Sequence, residues 1–219
     1  SIALLMGLKN LQRFYDKKFE IIGVSINPGF DFFNSEFLEK TCKNIGVPLF
    51  IEDTNIKEIV FDVRKEKNPC SLCANLRRGI INSIAIREGC NKIALGHNQD
   101  DVLETYLLKK QRNVVNESYL INEKTIINKM NVYRPLIHSF YKNDLLEYCK
   151  NHNIPYGIDH TNFMDIHPRN VIRKKLESMN KDEVFASALK EEKLLKETRK
   201  DIIEQNKKGN CVTSPDKIM

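Results

Sequence analysis

The 219-residue sequence has no apolar run approaching the roughly 20 residues that a bilayer-spanning helix needs, so no membrane span is expected. Its opening, Ser1-Ile2-Ala3-Leu4-Leu5-Met6, lacks the basic start and small-residue cleavage site of a secretory signal. Residence in the cytoplasm is therefore expected. Cysteine is sparse at six residues, which stay reduced in that compartment. Only Cys70 and Cys73 have close CxxC spacing, and no second pair accompanies them to build a four-cysteine zinc site. There is no internal repeat. Acids are outnumbered, 29 against 35 Lys and Arg, for a net charge of +6, which favours a polyanionic partner.

What is present is a regular alternation of strand and helix signals. Ile2, Leu5, Leu8 and Leu11 recur at helical spacing. Phe19 to Ile26 reads as a buried strand stopped by Asn27-Pro28-Gly29. Ser35 to Ile45 reads as a helix with Gly46 as its stop signal. Pro48 to Ile51 is a short strand, and Ile56 to Val63 a short helix or turn. Pro69-Cys70 opens a helix running to about Glu88, Lys92 to Leu95 is a strand, and Asp101 to Lys110 is helical. This order predicts an α/β protein with a doubly wound parallel sheet. Beyond Lys110 the sequence turns polar, with a hairpin pattern before Asn131. Val132 to Ile137 is strand-like but carries Pro135, which places it at a sheet edge. Helices are expected over Asn143 to Asn151, from Pro168 to Met179, and from Lys181 to Gln205. The tail after Lys207 is expected to be disordered. The domains expected are 1–137 as the α/β domain, 138–206 as a helical extension, and 207–219 as a tail.

In an open parallel sheet, ligands bind beyond the carboxyl ends of the strands. Two such ends stand out. Ser25-Ile26-Asn27 can offer backbone groups to a purine. Gly96, His97, Asp100 and Asp101 form the loop that leads into a helix. Two adjacent acids there can cap the helix or hold Mg²⁺ against a triphosphate. Cys70 and Cys73 sit where a helix dipole lowers a thiol pKa, and they are read either as metal or redox ligands or as small packing residues. Arg169 and Arg173, at i and i+4, share one helix face, which suits phosphate oxygens or a solvated surface.

The stretch Pro69-Cys70-Ser71-Leu72-Cys73-Ala74-Asn75-Leu76-Arg77-Arg78-Gly79, with Leu95-Gly96-His97-Asn98-Gln99-Asp100-Asp101-Val102-Leu103-Glu104-Thr105, resembles the tRNA 2-thiocytidine synthetases, PP-loop enzymes with a HUP-like sheet. Ser1 with Ile2-Ala3-Leu4-Leu5 resembles the last serine of their Ser-Gly-Gly-Lys-Asp-Ser phosphate loop and the start of its helix. The resemblance thus implies that the first strand and most of that loop are missing from the sequence. The second half resembles the tRNA(Ile)-lysidine synthetases, through Tyr133-Arg134-Pro135-Leu136-Ile137, Ile154-Pro155-Tyr156, Asp159-His160-Thr161-Asn162 and Arg169-Asn170-Val171-Ile172-Arg173. Where thiocytidine synthetases place a further cysteine after Ile-Pro, this sequence has Tyr156.

Both resemblances imply adenylation of the 2-oxo group of a tRNA cytidine by ATP, with release of pyrophosphate. They imply Asp100 and Asp101 as Mg²⁺ ligands, with His97 as a third catalytic residue. Ser1, Ser25, Ile26 and Gly96 would hold ATP. Arg134, Asp159, Thr161, Asn162, Arg169, Asn170 and Arg173 would contact tRNA. The leading expectation is a lysidine-type ligase in which free lysine displaces AMP. The alternative is a sulfur donor acting through Cys70 and Cys73, with an iron–sulfur cluster, and a further alternative is a non-catalytic RNA-binding fragment. A homodimer is also expected.

Overall fold

The computed structural model describes residues 1–65, 69–113, 118–157 and 168–207. The described residues fall into two compact units through which the chain passes repeatedly. The first comprises Ser1–Gly96, Lys124–Arg134 and Tyr148–Tyr156, and the second His97–Glu123, Pro135–Glu147 and Gly157–Met219. These units do not follow a single cut at residue 137. The tail after Lys207, Asp159, Thr161 and Asn162 lie outside the described residues.

The first unit opens with helix α1 (Ile2–Leu11), followed by strand β1 (Gly23–Asn27), helix α2 (Ser35–Ile45) and strand β2 (Leu49–Asp53). Asn34 caps α2 by accepting from the Phe37 N–H at 2.8 Å, and Gly46 ends it at a left-handed φ of 74°. The crossover through α2 brings β2 parallel to β1, with Gly23 opposite Leu49 and Asn27 opposite Asp53. A π-helical segment (Glu58–Val63) precedes the long helix α3 (Pro69–Arg87). Leu72, Leu76 and Ile80 recur every four residues along α3. With Cys73 and Ile81 they pack on the buried Ile26, Ile56 and Val60. Each such aliphatic side chain removed from water contributes about 1.5–3 kcal/mol.

Strand β3 (Lys92–Ala94) pairs in parallel with β5 (Met130–Tyr133), and β5 pairs antiparallel with β4 (Lys124–Ile127). The strand expected at a sheet edge therefore lies in the middle of the order β3-β5-β4. The reason is its length. The ladders to β3 and β4 end at Tyr133, two residues before Pro135, so the proline lies outside them, and β4 takes the edge instead. The sheet is also divided: β1-β2 form one piece and β3-β5-β4 another. Helix α3 packs against strands of both pieces, β1 and β3.

The second unit is helical. Helix α4 (Gln99–Gln111), α6 (Pro168–Glu177) and α7 (Lys181–Lys207) meet around Leu103, Ile172 and Leu176, with Leu107, Leu108, Met179, Val184 and Phe185 against them. Helix α5 (Lys142–Asn151) completes the element list.

Candidate active site

Within the first unit, α1 begins directly after Ser1, so its first amides have no intrahelical acceptor and its first turn has no acid. That combination suits an anion. Gly96, two residues past the end of β3, lies against this helix start. A Cβ added to Gly96 would stand 3.0 Å from Ser1 Cα, 3.2 Å from its N and 3.4 Å from its Oγ. Only a residue without a side chain permits that approach. Ser25 and Ile26 lie in β1, Ser25 half-buried and Ile26 4% exposed. The turn beyond them is tied down: the Asn27 side chain donates to Asp53 Oδ1 at 2.8 Å and accepts from the Gly29 N–H at 3.0 Å. The structure thus brings Ser1 and Gly96 together, an approach that spacing alone does not show.

Within the second unit, α4 starts with a capping box. Asn98 Oδ1 accepts from the Asp101 N–H at 3.3 Å, and Asp101 Oδ2 accepts from the Asn98 N–H at 2.9 Å. The other Asp101 oxygen accepts from Arg169 Nη2 at 3.0 Å. Asp100 accepts from Lys181 Nζ at 2.5 Å and from the Lys142 N–H at 2.6 Å. All the carboxylate oxygens of the pair therefore carry protein donors. Hard oxygens suit Mg²⁺, but a metal would meet these donors first, so no chemical step is routed through one here. His97 is half-buried immediately before this cap.

One turn along α4, Glu104 is 2% exposed. Its carboxylate accepts from Arg169 Nε, from Arg173 Nε at 2.7 Å and from Arg173 Nη2 at 3.2 Å. Burial works against the Arg173 charge, but the hydrogen bond and charge of Glu104, with Asp101 and Asp100 behind it, outweigh burial and raise its pKa. Asn170, 6% exposed, accepts from Arg173 Nη1 at 3.3 Å. The arginine pair expected to face phosphate is thus engaged by an internal carboxylate, which the sequence reading did not single out. Its signal was available: Glu104 follows Asp101 by three residues on the same helix face. Lys181 was also missed.

Arg134 is 8% exposed and donates to Thr125 Oγ1 at 3.1 Å. Burial, with the Arg78 charge nearby, lowers its pKa. Arg134, expected as a tRNA contact, is thus buried in this structure. Cys73 is half-buried on the core of the first unit. Cys149 is 5% exposed in α5, and burial raises its thiol pKa. Among the described residues, no three His, Cys, Asp or Glu side chains stand close enough to hold a metal ion. No helix among them is long and apolar enough to cross a membrane.

Parallel strands joined through helices, with a helix start set against a glycine beyond a strand end, define a doubly wound α/β protein. The chain belongs to the PP-loop domain family, which it matches over residues 1–179. It is 29% identical over 163 residues to a tRNA-cytidine(32) 2-sulfurtransferase of Geotalea uraniireducens, covering 71% of this chain and 62% of that protein. It is 37% identical over 111 residues to the protein of the same name from Syntrophotalea carbinolica, covering 50% of this chain and 43% of that protein. The chain thus spans less than two thirds of the length of these relatives. Among solved structures, the U34-tRNA thiolase NcsA from Methanococcus maripaludis, with its 4Fe–4S cluster, superposes with a TM-score of 0.68 at 20% identity. That match covers 90% of this chain and 69% of that one, and it shows a shared fold.

Proposed function

We propose that this chain is the ATP-using part of an enzyme that replaces the 2-oxo group of a tRNA cytidine with sulfur. The observation that carries the reading is the similarity to tRNA-cytidine(32) 2-sulfurtransferases over 71% of the chain. Cys70 and Cys73 in the first turn of α3 support it. The ligase reading, with lysine as the nucleophile, yields the lead to the sulfur reading, because the relatives named above are sulfurtransferases.

In the proposed reaction the 2-oxo oxygen attacks the α-phosphorus of ATP, and pyrophosphate leaves with the bonding electron pair. Hydrosulfide then adds at C2 of the cytosine ring, AMP leaves with the oxygen and its bonding pair, and loss of the sulfur's proton leaves the 2-thio group. The first amides of α1, which have no intrahelical acceptor, would hold phosphate oxygens, and Gly96 leaves room beside them. Asp100, which pairs with Lys181, and Asp101, which pairs with Arg169, remain the proposed acids of the reaction. Cys70 and Cys73 would handle the sulfur. The described residues do not complete the ligand set of an iron–sulfur cluster, so no step is derived through one.

The test is mass spectrometry of tRNA nucleosides from cells with and without the gene. Loss of 2-thiocytidine with lysidine unchanged is expected, and Cys73→Ser should reproduce that loss. Loss of lysidine instead would restore the ligase reading, and no change in either nucleoside would leave a non-catalytic RNA-binding protein.

A further inference from the structure

The far end of α1 carries an apolar patch that has no part in the reaction above. Leu11, Phe14 and Tyr15 fall at i, i+3 and i+4 and are 43%, 81% and 53% exposed. A single apolar residue on a surface needs no partner, but adjoining ones of this size mark a contact surface. Tyr15 is engaged, meeting Phe19 edge-on at 5.9 Å. Phe14 has no ring or cation partner among the described residues, and its ring is left to water.

The patch is formed before any partner arrives. Past the last residue of α1 the backbone makes one more turn, in which Leu11 O accepts from the Phe14 and Tyr15 N–H groups, both at 3.0 Å. Gln12 Nε2 donates to Phe19 O at 2.7 Å and closes the segment into a loop. Little backbone freedom therefore remains to be lost on binding.

The charge around the patch decides what covers it. Arg13, Lys17 and Lys18 are exposed, against Asp16 alone in the same stretch. None of these cations forms an ion pair with a described residue. An exposed ring set among unpaired cations suits a polyanion that also offers flat faces, as unpaired nucleotides do. We propose that Phe14 is a stacking platform for one unpaired base of the RNA, with Arg13, Lys17 and Lys18 serving the phosphates that flank it. This rests on the tRNA reading above and extends it to a second surface for the substrate. The ten residues of α1 separate Phe14 from the proposed phosphate site at Ser1 by ~15 Å. Phosphates follow one another about every 3.4 Å along a strand, so the stacked base lies several nucleotides from the one that reacts. The platform therefore contributes to affinity and not to the chemical step.

The experiment uses the whole chain and fluorescence anisotropy with an unmodified tRNA transcript. A blunt RNA duplex serves as the control. Phe14→Ala should weaken tRNA binding by roughly five- to 150-fold, the range for loss of one base–aromatic stack, with the salt slope unchanged. Phe14→Trp should retain affinity, whereas Phe14→Leu, apolar but without a π face, should behave like Phe14→Ala. Replacing Arg13, Lys17 and Lys18 together by alanine should instead lower the salt slope by about two. Duplex binding, ATP affinity and melting temperature should not move in Phe14→Ala. The proposal is overturned if Phe14→Ala binds tRNA as the parent does. Full binding by Phe14→Leu overturns it as well, since the ring would then supply only apolar area. A parent that sediments as a dimer, with Phe14→Ala a monomer, would make the patch a contact between copies and sink the idea equally. Phe14-dependent tRNA binding in a protein whose deletion spares 2-thiocytidine would leave the platform standing and remove the sulfur reaction.

Discussion

Replacing Glu104 by glutamine keeps the shape of the side chain and removes its charge. In the folded protein, that charge is 2% exposed and lies between the guanidiniums of Arg169 and Arg173. Removing one partner from a buried ion pair typically costs about 3–5 kcal/mol, because the remaining charge is left uncompensated. Here the side chains of Arg169 and Arg173 are 41% and 26% exposed, so both cations can turn partly towards water. The expected loss is therefore nearer ~2–3 kcal/mol. For a chain of this size each kcal/mol shifts Tm by about 2–4 °C, so Glu104→Gln should melt roughly 4–12 °C lower. Arg173→Ala should cost less, since Glu104 keeps Arg169, and the double variant should cost less than the sum of the two singles. Thermal and urea unfolding followed by circular dichroism would measure all three. A Glu104→Gln protein as stable as the parent, or an Arg173→Ala protein less stable than it, would refute the account of Glu104 as the buried anchor of α6.

Gly96→Ala places a methyl 3.0 Å from Ser1 Cα, so the helix start has to shift. A loss of about 1–3 kcal/mol is expected, together with weakened ATP binding by calorimetry, and unchanged ATP affinity would count against the phosphate cradle. Glu192 is 4% exposed. Burial opposes its ionisation, but the Ser118 hydroxyl, the Tyr119 N–H and Lys196 win and hold its pKa below the ordinary 4.5. Its contribution to stability is therefore full above that value and lost as pH falls through the lower folded value. Glu192→Gln should flatten the acid limb of a stability–pH curve, and an unaltered limb would show that the group is not linked to folding. Asp100→Asn should remove tRNA-stimulated pyrophosphate release while Lys181→Met retains it, and normal release by Asp100→Asn would take that acid out of the proposed site.

The periodic helices were legible in the sequence. Gly46 ends α2 at a positive φ, as a glycine stop signal predicts, and α3 and α4 begin and end close to the expected positions. Strand ends were less legible. Phe19 to Ile22 continue the apolar run, yet pairing starts only at Gly23, because β2 offers partners no further back than Leu49. The misplaced edge at Pro135 has the same origin, since a proline signal says nothing about where hydrogen-bonded pairing ends. The Glu104 cluster was hidden for a different reason. An acid inside a charged helix looks like solvated surface, and its partners lie 65 and 69 residues away in sequence. Of the expectations for Asp101, the cap is present: one oxygen completes the capping box, while the other accepts from Arg169, a partner the sequence did not suggest.

The divided sheet leaves strand edges to which a further strand could add. Among the described strands, β1 pairs only with β2 and β3 only with β5, while α3 supports β1 and β3 alike. Each of these strands keeps one row of amides and carbonyls that no described neighbour engages, and such rows recruit any extended peptide that fits. An extended peptide hydrogen-bonded to either row would widen that sheet by a strand and would bind only the folded protein. Its solubility and melting temperature should then depend on peptide concentration in the manner of a binding equilibrium.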